Sequence, residues 1–492
     1  MTDLPNGPGN DADAADTARS RASAAPDLRD AGPAFDVAES MEPAGQDAAP
    51  VPRKKVVSWA LYDWASSSFN AVATTFVFTR YLTSSTFGDT NNLSSELGLW
   101  LGIAGVLVAL TAPITGQQSD AGGHRKRWLG VWTGITAVAL LAMAFVFPDP
   151  KYVVLGFLAL TIGTISIELA NVNYYAMLTQ VSTPKNIGRV SGFGWGMGYV
   201  GGIVQLLILL FAFIDPELQI GPFHYVQLSM IVATLWYVVF SLPVFFAVGE
   251  NTLPRTGGVT RAGLFGAYAE LGRSIARLWT RSRNTVWFLI ASAIFRDGLT
   301  GVFTFGGVLA AGSFGFSPSL VIYFAVAANV VAGIATISTG PLDDRFGPRR
   351  VILTSLIGLL VSGIAVFALA LGFFNPGIGP VQSDGSPSGL APGWIFWIFG
   401  LFLCLFVGPA QSASRSFLAR VIPAGHEGEV FGLYATTGRA ATFLSPLLWS
   451  LFIAIGGTQV WGIVGIMIVV AVGLVLMFFV RPPAAEKLDL SR

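Results

Sequence analysis

Five ionisable side chains lie within stretches otherwise apolar enough to cross a bilayer: Asp63, Glu168, Arg296, Asp297 and Arg415. A charge at membrane depth costs at least ~2.5 kcal/mol on insertion scales, so each marks a place where the chain uses charge and needs a partner. Their types indicate the chemistry. A carboxylate can carry a proton or hold an ammonium group, and an arginine fork binds a carboxylate or phosphate through two parallel bonds. Polar neighbours recur beside them at helical spacing. Asp63, Ser67, Asn70 and Thr74 fall at steps of three and four, as do Thr161, Thr164, Glu168, Asn171 and Tyr175. Arg296, Thr300 and Thr304 step by four, and Gln411 precedes Arg415 by four. Residues at those steps share one helix face. Four such stripes facing one another would enclose a hydrophilic pocket for a polar occupant, a zwitterion or an arginine-bound anion fitting best. A purely structural use stays open for each charge: Asp63 or Glu168 could pair with Arg415, Arg439 or Arg296, and Asp297 with its neighbour Arg296.

The composition defines the elements that must position these residues. Of 492 residues, 53% are hydrophobic and only 12% charged, with mean hydropathy +0.63, where a soluble globule would have about a quarter charged. The chain therefore reads as an all-α, polytopic membrane protein, since irregular backbone facing lipid would leave polar groups unpaired. Twelve stretches reach the roughly 20 residues needed to cross hydrocarbon: 57–82, 96–116, 127–147, 152–181, 190–214, 225–248, 285–311, 318–340, 351–374, 394–419, 430–455 and 460–480. They imply a tail 1–55, a six-helix bundle 56–248, a linker 249–284, a second six-helix bundle 285–481 and a tail 482–492. The first tail is rich in Ala, Asp, Pro and Gly, which predicts disorder, and it has no secretion signal. The second part of the linker, Leu264 to Leu278, is amphipathic and basic, as suits a membrane surface.

Loop charges set the expected orientation. Arg53-Lys54-Lys55, His124 to Arg127, Lys185, Arg189, the segment Arg255 to Arg283, Arg345, Arg349, Arg350 and Arg420 occupy one set of connections. Asp89, Glu96, Asp149, Asp215, Glu217 and Asp384 dominate the other. The positive-inside rule then places both termini in the cytoplasm, and the cell (inner) membrane is the expected location. The net charge of +1 and the lack of basic–aromatic interleaving give no sign of nucleic acid, and Cys404 alone cannot form a disulfide within the chain. No Walker loop, nucleophile elbow or zinc cluster is present, so an enzyme, a cofactor or a metal is not expected.

The sequence also repeats. Gly116-x3-Asp120-x2-Gly123-His124-Arg125 follows the second stretch, and Gly340-x3-Asp344-Arg345-x-Gly347-x-Arg349-Arg350 follows the eighth. Leu178, Val181, Gly188, Val190, Gly192 and Gly198 match Leu418, Val421, Gly428, Val430, Gly432 and Gly438. Two parallel six-helix repeats suit a rocking-bundle architecture. Gly194, Gly198 and Gly202, like Gly188, Gly192 and Gly196, form small-x3-small series that allow close helix approach.

The Gly-x3-Asp-x2-Gly-basic loop, present in both halves, resembles the signature of the major facilitator superfamily. Within it, Ala60-Leu61-Tyr62-Asp63-Trp64-Ala65, Gly188-Arg189-Val190-Ser191-x6-Gly198-Tyr199-x-Gly201-Gly202, and Gln411-x2-Ser414-Arg415-Ser416 with Phe431-Gly432-Leu433-Tyr434 look like the vacuolar-effluxer-like family, from about Val56 to Val480. Two positions depart from its pattern: Ser66 replaces the usual Asn, and Ala121 stands where a basic residue is common. The resemblance implies two pseudo-symmetric halves, with helices one, four, seven and ten lining a cavity and two, five, eight and eleven gating it. It implies a monomeric secondary transporter of a small polar solute working by alternating access, an amino acid being the expected substrate and protons a candidate coupling ion. The cavity set would then be Asp63, Asn70, Glu168, Asn171, Tyr175, Arg296, Asp297, Gln411 and Arg415. A cytoplasmic gate would comprise Asp120, Arg125, Asp343, Asp344, Arg345 and Arg349, with Arg439 as a latch. The rival reading is a membrane sensor or scaffold that keeps this fold without transport.

Overall fold

The computed structural model describes residues 52–122, 125–182, 187–249, 264–371, 393–421 and 427–482. Each of the twelve expected stretches forms helix. The first segment runs Arg53–Ser67, continues as a π-helical stretch Ser68–Phe76 and ends in Phe78–Leu82. The second to sixth are Thr90–Gly122, Arg125–Met143, Val153–Ala176, Ile187–Leu209 with a π-helical end Leu210–Ile214, and Tyr225–Ala247. A linker helix, Leu264–Arg281, leads to the seventh to tenth: Arg283–Gly312, Pro318–Phe346, Pro348–Ala370 and Gly393–Val421. The eleventh is split into Glu427–Ala440 and Leu444–Gly456, and the twelfth is Gly462–Phe479. Among the described residues ten helices are long and apolar enough to cross a membrane. The first and third segments fall short of that measure: Asp63, Asn70 and several serines and threonines dilute the apolar run of the first, and Arg125, Lys126 and Arg127 that of the third. The outward faces are apolar, with Phe246 83% and Ile455 70% exposed, as a lipid-facing surface requires.

Two of the departures from plain helix occur in the first and eleventh segments. In the first, the Thr74 and Thr75 hydroxyls both donate to Asn70 O, at 2.8 and 2.7 Å, and Val77 N bonds back five residues to Val72 O at 3.1 Å. Hydroxyls that compete for helix carbonyls favour such local widening. In the eleventh, the helix stops at Ala440 and restarts at Leu444, with Pro446 in the first turn of the second helix, where a missing N–H breaks no bond.

The two halves use equivalent pairings. Two packs on four and eight on ten, three on four and nine on ten, one on six and seven on twelve. Between halves, two meets eleven, one meets seven and five meets eight. At the end remote from Lys55, Val248 and Val480, here the far end, this contact is direct. Trp449 Nε1 donates to Ser94 O at 3.1 Å, Gln459 Nε2 to Ser94 Oγ at 2.6 Å, and Ser95 Oγ lies 3.1 Å from Ser450 Oγ. Glycines make the approach possible. A Cβ at Gly98 would fall 2.6 Å from Pro446 O, and one at Gly105 2.8 Å from Phe443 N.

The far end is therefore closed, and its closure can be trapped. Ser95→Cys with Ser450→Cys is expected to cross-link under mild oxidation, since Cys404 is buried and does not interfere. Adding Gly105→Val should cut the cross-linked fraction seen by gel mobility. An unchanged yield would show that the glycine contact does not govern closure.

Candidate functional site

Aromatic rings place Asp63. Trp59 stacks on Tyr174 with 4.7 Å between ring centres and donates from Nε1 to Tyr174 O at 3.2 Å. Tyr62 also stacks on Tyr174 at 4.7 Å, and its hydroxyl bonds Thr133 Oγ1 at 2.9 Å and the Tyr237 hydroxyl at 3.2 Å. Trp64 stacks on Trp236, whose Nε1 donates to Trp64 O at 3.2 Å. With these neighbours anchored to segments three, four and six, the Asp63 carboxylate turns to segment five. Gly194 makes room there: a Cβ on it would lie 2.8 Å from Asp63 Oδ2 and 2.7 Å from the Trp59 ring. The Tyr174 hydroxyl sits 2.9 Å from Asp63 Oδ2 and 3.1 Å from Trp59 O. One phenolic proton cannot serve both acceptors. The shorter of the two contacts is the one to Asp63.

Glu168 and Arg415 meet partners across the halves, and Arg296 meets one within its own half. Glu168 Oε2 pairs with Arg439 Nε at 3.4 Å, and the Arg439 guanidinium lies 5.4 Å from the centre of the Tyr175 ring. Arg415 sits 4.3 Å over Trp195. Arg296 sits 4.1 Å over Tyr434 and donates to Tyr434 O at 3.3 Å, in space left by Gly438. Each of these arginines thus rests on an aromatic face, an attraction of about 0.5–2 kcal/mol depending on desolvation. Tyr175 faces Arg439, while Asp63 and Arg415 meet the same turn of the fifth segment, at Gly194 and Trp195. Among the described residues neither Asp63 nor Arg415 is in an ion pair. The repeat explains the arrangement. Its offset of 240 residues, as between Leu178 and Leu418, sets Tyr175 opposite Arg415 and Tyr199 opposite Arg439 in the equivalence.

The remaining expected residues divide. Asn70 is exposed in the π-helical stretch, Asn171 is buried on segment four, and Gln411 is half-buried one turn from Arg415. Asp297 does not join them. It is 4% exposed, and its Oδ2 accepts from Ser445 N at 2.6 Å, capping the second helix of segment eleven. Neither alternative held for it, since Arg296 turns to Tyr434 instead of to its neighbour. Of the gate set, Arg125 donates to Ala176 O at 3.1 Å, and Arg349 to Val480 O at 2.7 Å. Asp343 accepts from the Ser416 hydroxyl and lies 3.6 Å from Arg420, and Arg345 lies over Phe346. These contacts stay within one half, whereas Arg439 bridges both. The side chains of Asp120 and Asp344 lie outside the described residues.

Sequence reasoning missed the partners Trp59, Tyr174, Trp195 and Tyr434. Their signal was present as aromatics flanking the charged positions, and only the interhelical register shows which ring meets which charge.

Paired six-helix halves of this kind are the fold of the major facilitator superfamily. The xylose transporter XylE from E. coli, in an inward-open conformation, superposes with a TM-score of 0.58 at 12% identity, covering 88% of this chain and 96% of that one. The nucleoside transporter NupG superposes with a TM-score of 0.53 at 14% identity, over 87% and 97%. At such identity the likeness is of fold alone. The family described as "Vacuole effluxer Atg22 like" matches residues 83–487, and the chain belongs to it. Asp63 precedes the matched region. The chain is similar to the "Uncharacterized MFS-type transporter YxiO" of Bacillus subtilis (strain 168), 26% identical over 451 residues, 89% of this chain and 97% of the relative. It is also 25% identical over 268 residues to autophagy-related protein 22-1 of Aspergillus fumigatus, covering 53% of this chain but 42% of that protein.

Two substitutions test the geometry. Gly194→Ala should destabilise by ~1–3 kcal/mol through overpacking, while Gly196→Ala, which meets open space, should not; denaturation midpoints compare them. In a double-mutant cycle of Glu168→Gln and Arg439→Gln, the pair should show a coupling of about 1 kcal/mol. Simple additivity would mean that the ion pair is incidental.

Proposed function

We propose that the chain is a secondary transporter of a small zwitterion, an amino acid foremost, working by alternating access in the cell membrane with both termini cytoplasmic. One observation carries this reading: Asp63 and Arg415 belong to opposite halves, meet neighbouring residues of the fifth segment, Gly194 and Trp195, and are in no ion pair among the described residues. A zwitterion places its ammonium on Asp63 and its carboxylate on Arg415, joining the two halves through one ligand. A ligand bound to both halves favours the arrangement that brings them together, which is what drives a rocking exchange of access. With the far end closed, this reading gives the ligand access from the end that carries the arginine-rich connections, which the positive-inside rule assigns to the cytoplasm. Glu168 and Arg439 supply a second bridge between halves, made in this state and broken as the halves rock. Membership of an effluxer-like family and similarity to an MFS-type transporter agree with transport, and neither names a substrate.

A proton is the coupling ion in this reading. Asp63, at membrane depth and in no ion pair among the described residues, is the carboxylate that carries it. An arriving ammonium favours the ionised form.

Proteoliposomes loaded with labelled amino acids, with and without an imposed pH gradient, test this. Arg415→Gln should lower flux at least tenfold with the fold intact, and amines lacking a carboxylate should fail to compete. Asp63→Asn should abolish the response to the pH gradient. Full flux in Arg415→Gln, or flux of sugars with none of amino acids, would overturn the zwitterion assignment.

A further inference from the structure

The linker helix Leu264–Arg281 carries a surface that transport chemistry does not use. Arg273, Arg277 and Arg281 recur at steps of four and are exposed. Leu271, Ile275 and Leu278, on the opposite side, pack into the core of the second half. At 1.5 Å of rise per residue, the three guanidinium groups span about 12 Å along one face. The row continues past the helix end. The Arg283 guanidinium lies 5.7 Å over the Trp279 ring. Asn284 holds Arg481 beside it through both backbone groups, accepting from Arg481 N at 2.7 Å and donating to Arg481 O at 3.1 Å.

Aromatic rings border this basic row. Trp279 lies 6.2 Å from Trp287, and Trp287 lies 6.1 Å from Phe479. Trp279 is 37% and Phe479 64% exposed, and the rings lead directly onto the apolar outer faces of segments seven and twelve, where Ile290 and Phe478 are exposed. Arginines above a tryptophan rim above an apolar wall reproduce, in order, the headgroup, interface and hydrocarbon of a lipid leaflet. A soluble phosphate or an acidic protein would match the arginines and leave the rings in water.

We propose that this helix, with Arg283, Trp279 and Arg481, is a docking surface for anionic phospholipid headgroups. The helix also touches the second segment of the first half and the seventh of the second half. A lipid seated there braces the end of the bundle that the far-end contacts do not reach, so the anionic lipid content of the leaflet sets how readily the halves separate.

The test uses the full chain purified in detergent and titrated with phosphatidylglycerol, with phosphatidylcholine of the same acyl length, or with inorganic phosphate. Retained lipid is counted by native mass spectrometry, and the melting temperature is followed in parallel. Phosphatidylglycerol should be retained in preference and raise the melting temperature, with both effects weakening at high salt. Arg277→Gln with Arg281→Gln should weaken retention about 25-fold, at about fivefold per arginine. Lys151→Gln, at the far end, should leave it unchanged. Equal retention of the two lipids, full retention by the double variant, or insensitivity to salt would overturn the proposal. A melting shift reproduced by phosphate alone would also overturn it, by showing a free-phosphate site. If the double variant fails to fold, the salt dependence and lipid preference of the parent chain still decide the question. None of these readouts requires a transported substrate.

Discussion

A charge held inside an apolar bundle must be given a partner by the bundle itself, because hydrocarbon offers none. The charged positions of this chain answer that constraint in different ways. Asp297 is satisfied by a backbone N–H at the start of a helix in its own half. Nothing in a rocking motion of the two halves need disturb that bond, so Asp297 is a structural cap. Glu168 and Arg439 satisfy each other across the halves, so their bond exists only while the halves keep this arrangement. Arg415 and Asp63 have the least complete solutions, a ring face for one and a phenol for the other. A partly satisfied charge beside another of opposite sign is where a ligand gains most by binding.

Backbone proximity supplies the second layer of control. Gly194 and Gly438 lie in the fifth and eleventh segments, which the repeat equates, and each makes room for a charged side chain from the first segment of its half, Asp63 and Arg296 respectively. Small residues thus serve two purposes here: they bring helices close, and they let a carboxylate or guanidinium enter the interface. At the far end, Gly98 and Gly105 have only the first purpose, bringing segment two against segment eleven. The split in segment eleven lies between Arg439 and these far-end contacts. The cross-half ion pair and the far-end closure are therefore carried on two short helices in place of one rigid rod, and Asp297 fixes the start of the second.

The repeat gains meaning from the structure. Positions equivalent in the two halves hold tyrosine in one and arginine in the other, Tyr175 with Arg415 and Tyr199 with Arg439. Because the halves face each other, this asymmetry places guanidinium groups from the second half against aromatic faces of the first. A strictly symmetric protein would oppose ring to ring or cation to cation, and the latter would be repulsive.

Helix positions, the membrane setting and the polar stripes were legible residue by residue. Crossing hydrocarbon imposes length, apolar composition and internal backbone bonding on every segment separately, and these are local properties. The gathering of Asp63, Glu168, Tyr175 and Arg415 was legible in outline for the same reason, since an expensive charge is visible wherever it occurs. The pairing of those charges was not. Whether Asp297 meets Arg296 or a helix end, whether Arg415 meets a carboxylate or Trp195, and where Ser68–Phe76 widens or segment eleven breaks all depend on the rotation and register of one helix against another. A shift of one residue turns a helical side chain by about 100°, and periodicity within one segment leaves that rotation undetermined. Only the packed bundle decided it, through the rings and glycines that admit one register and exclude its neighbours.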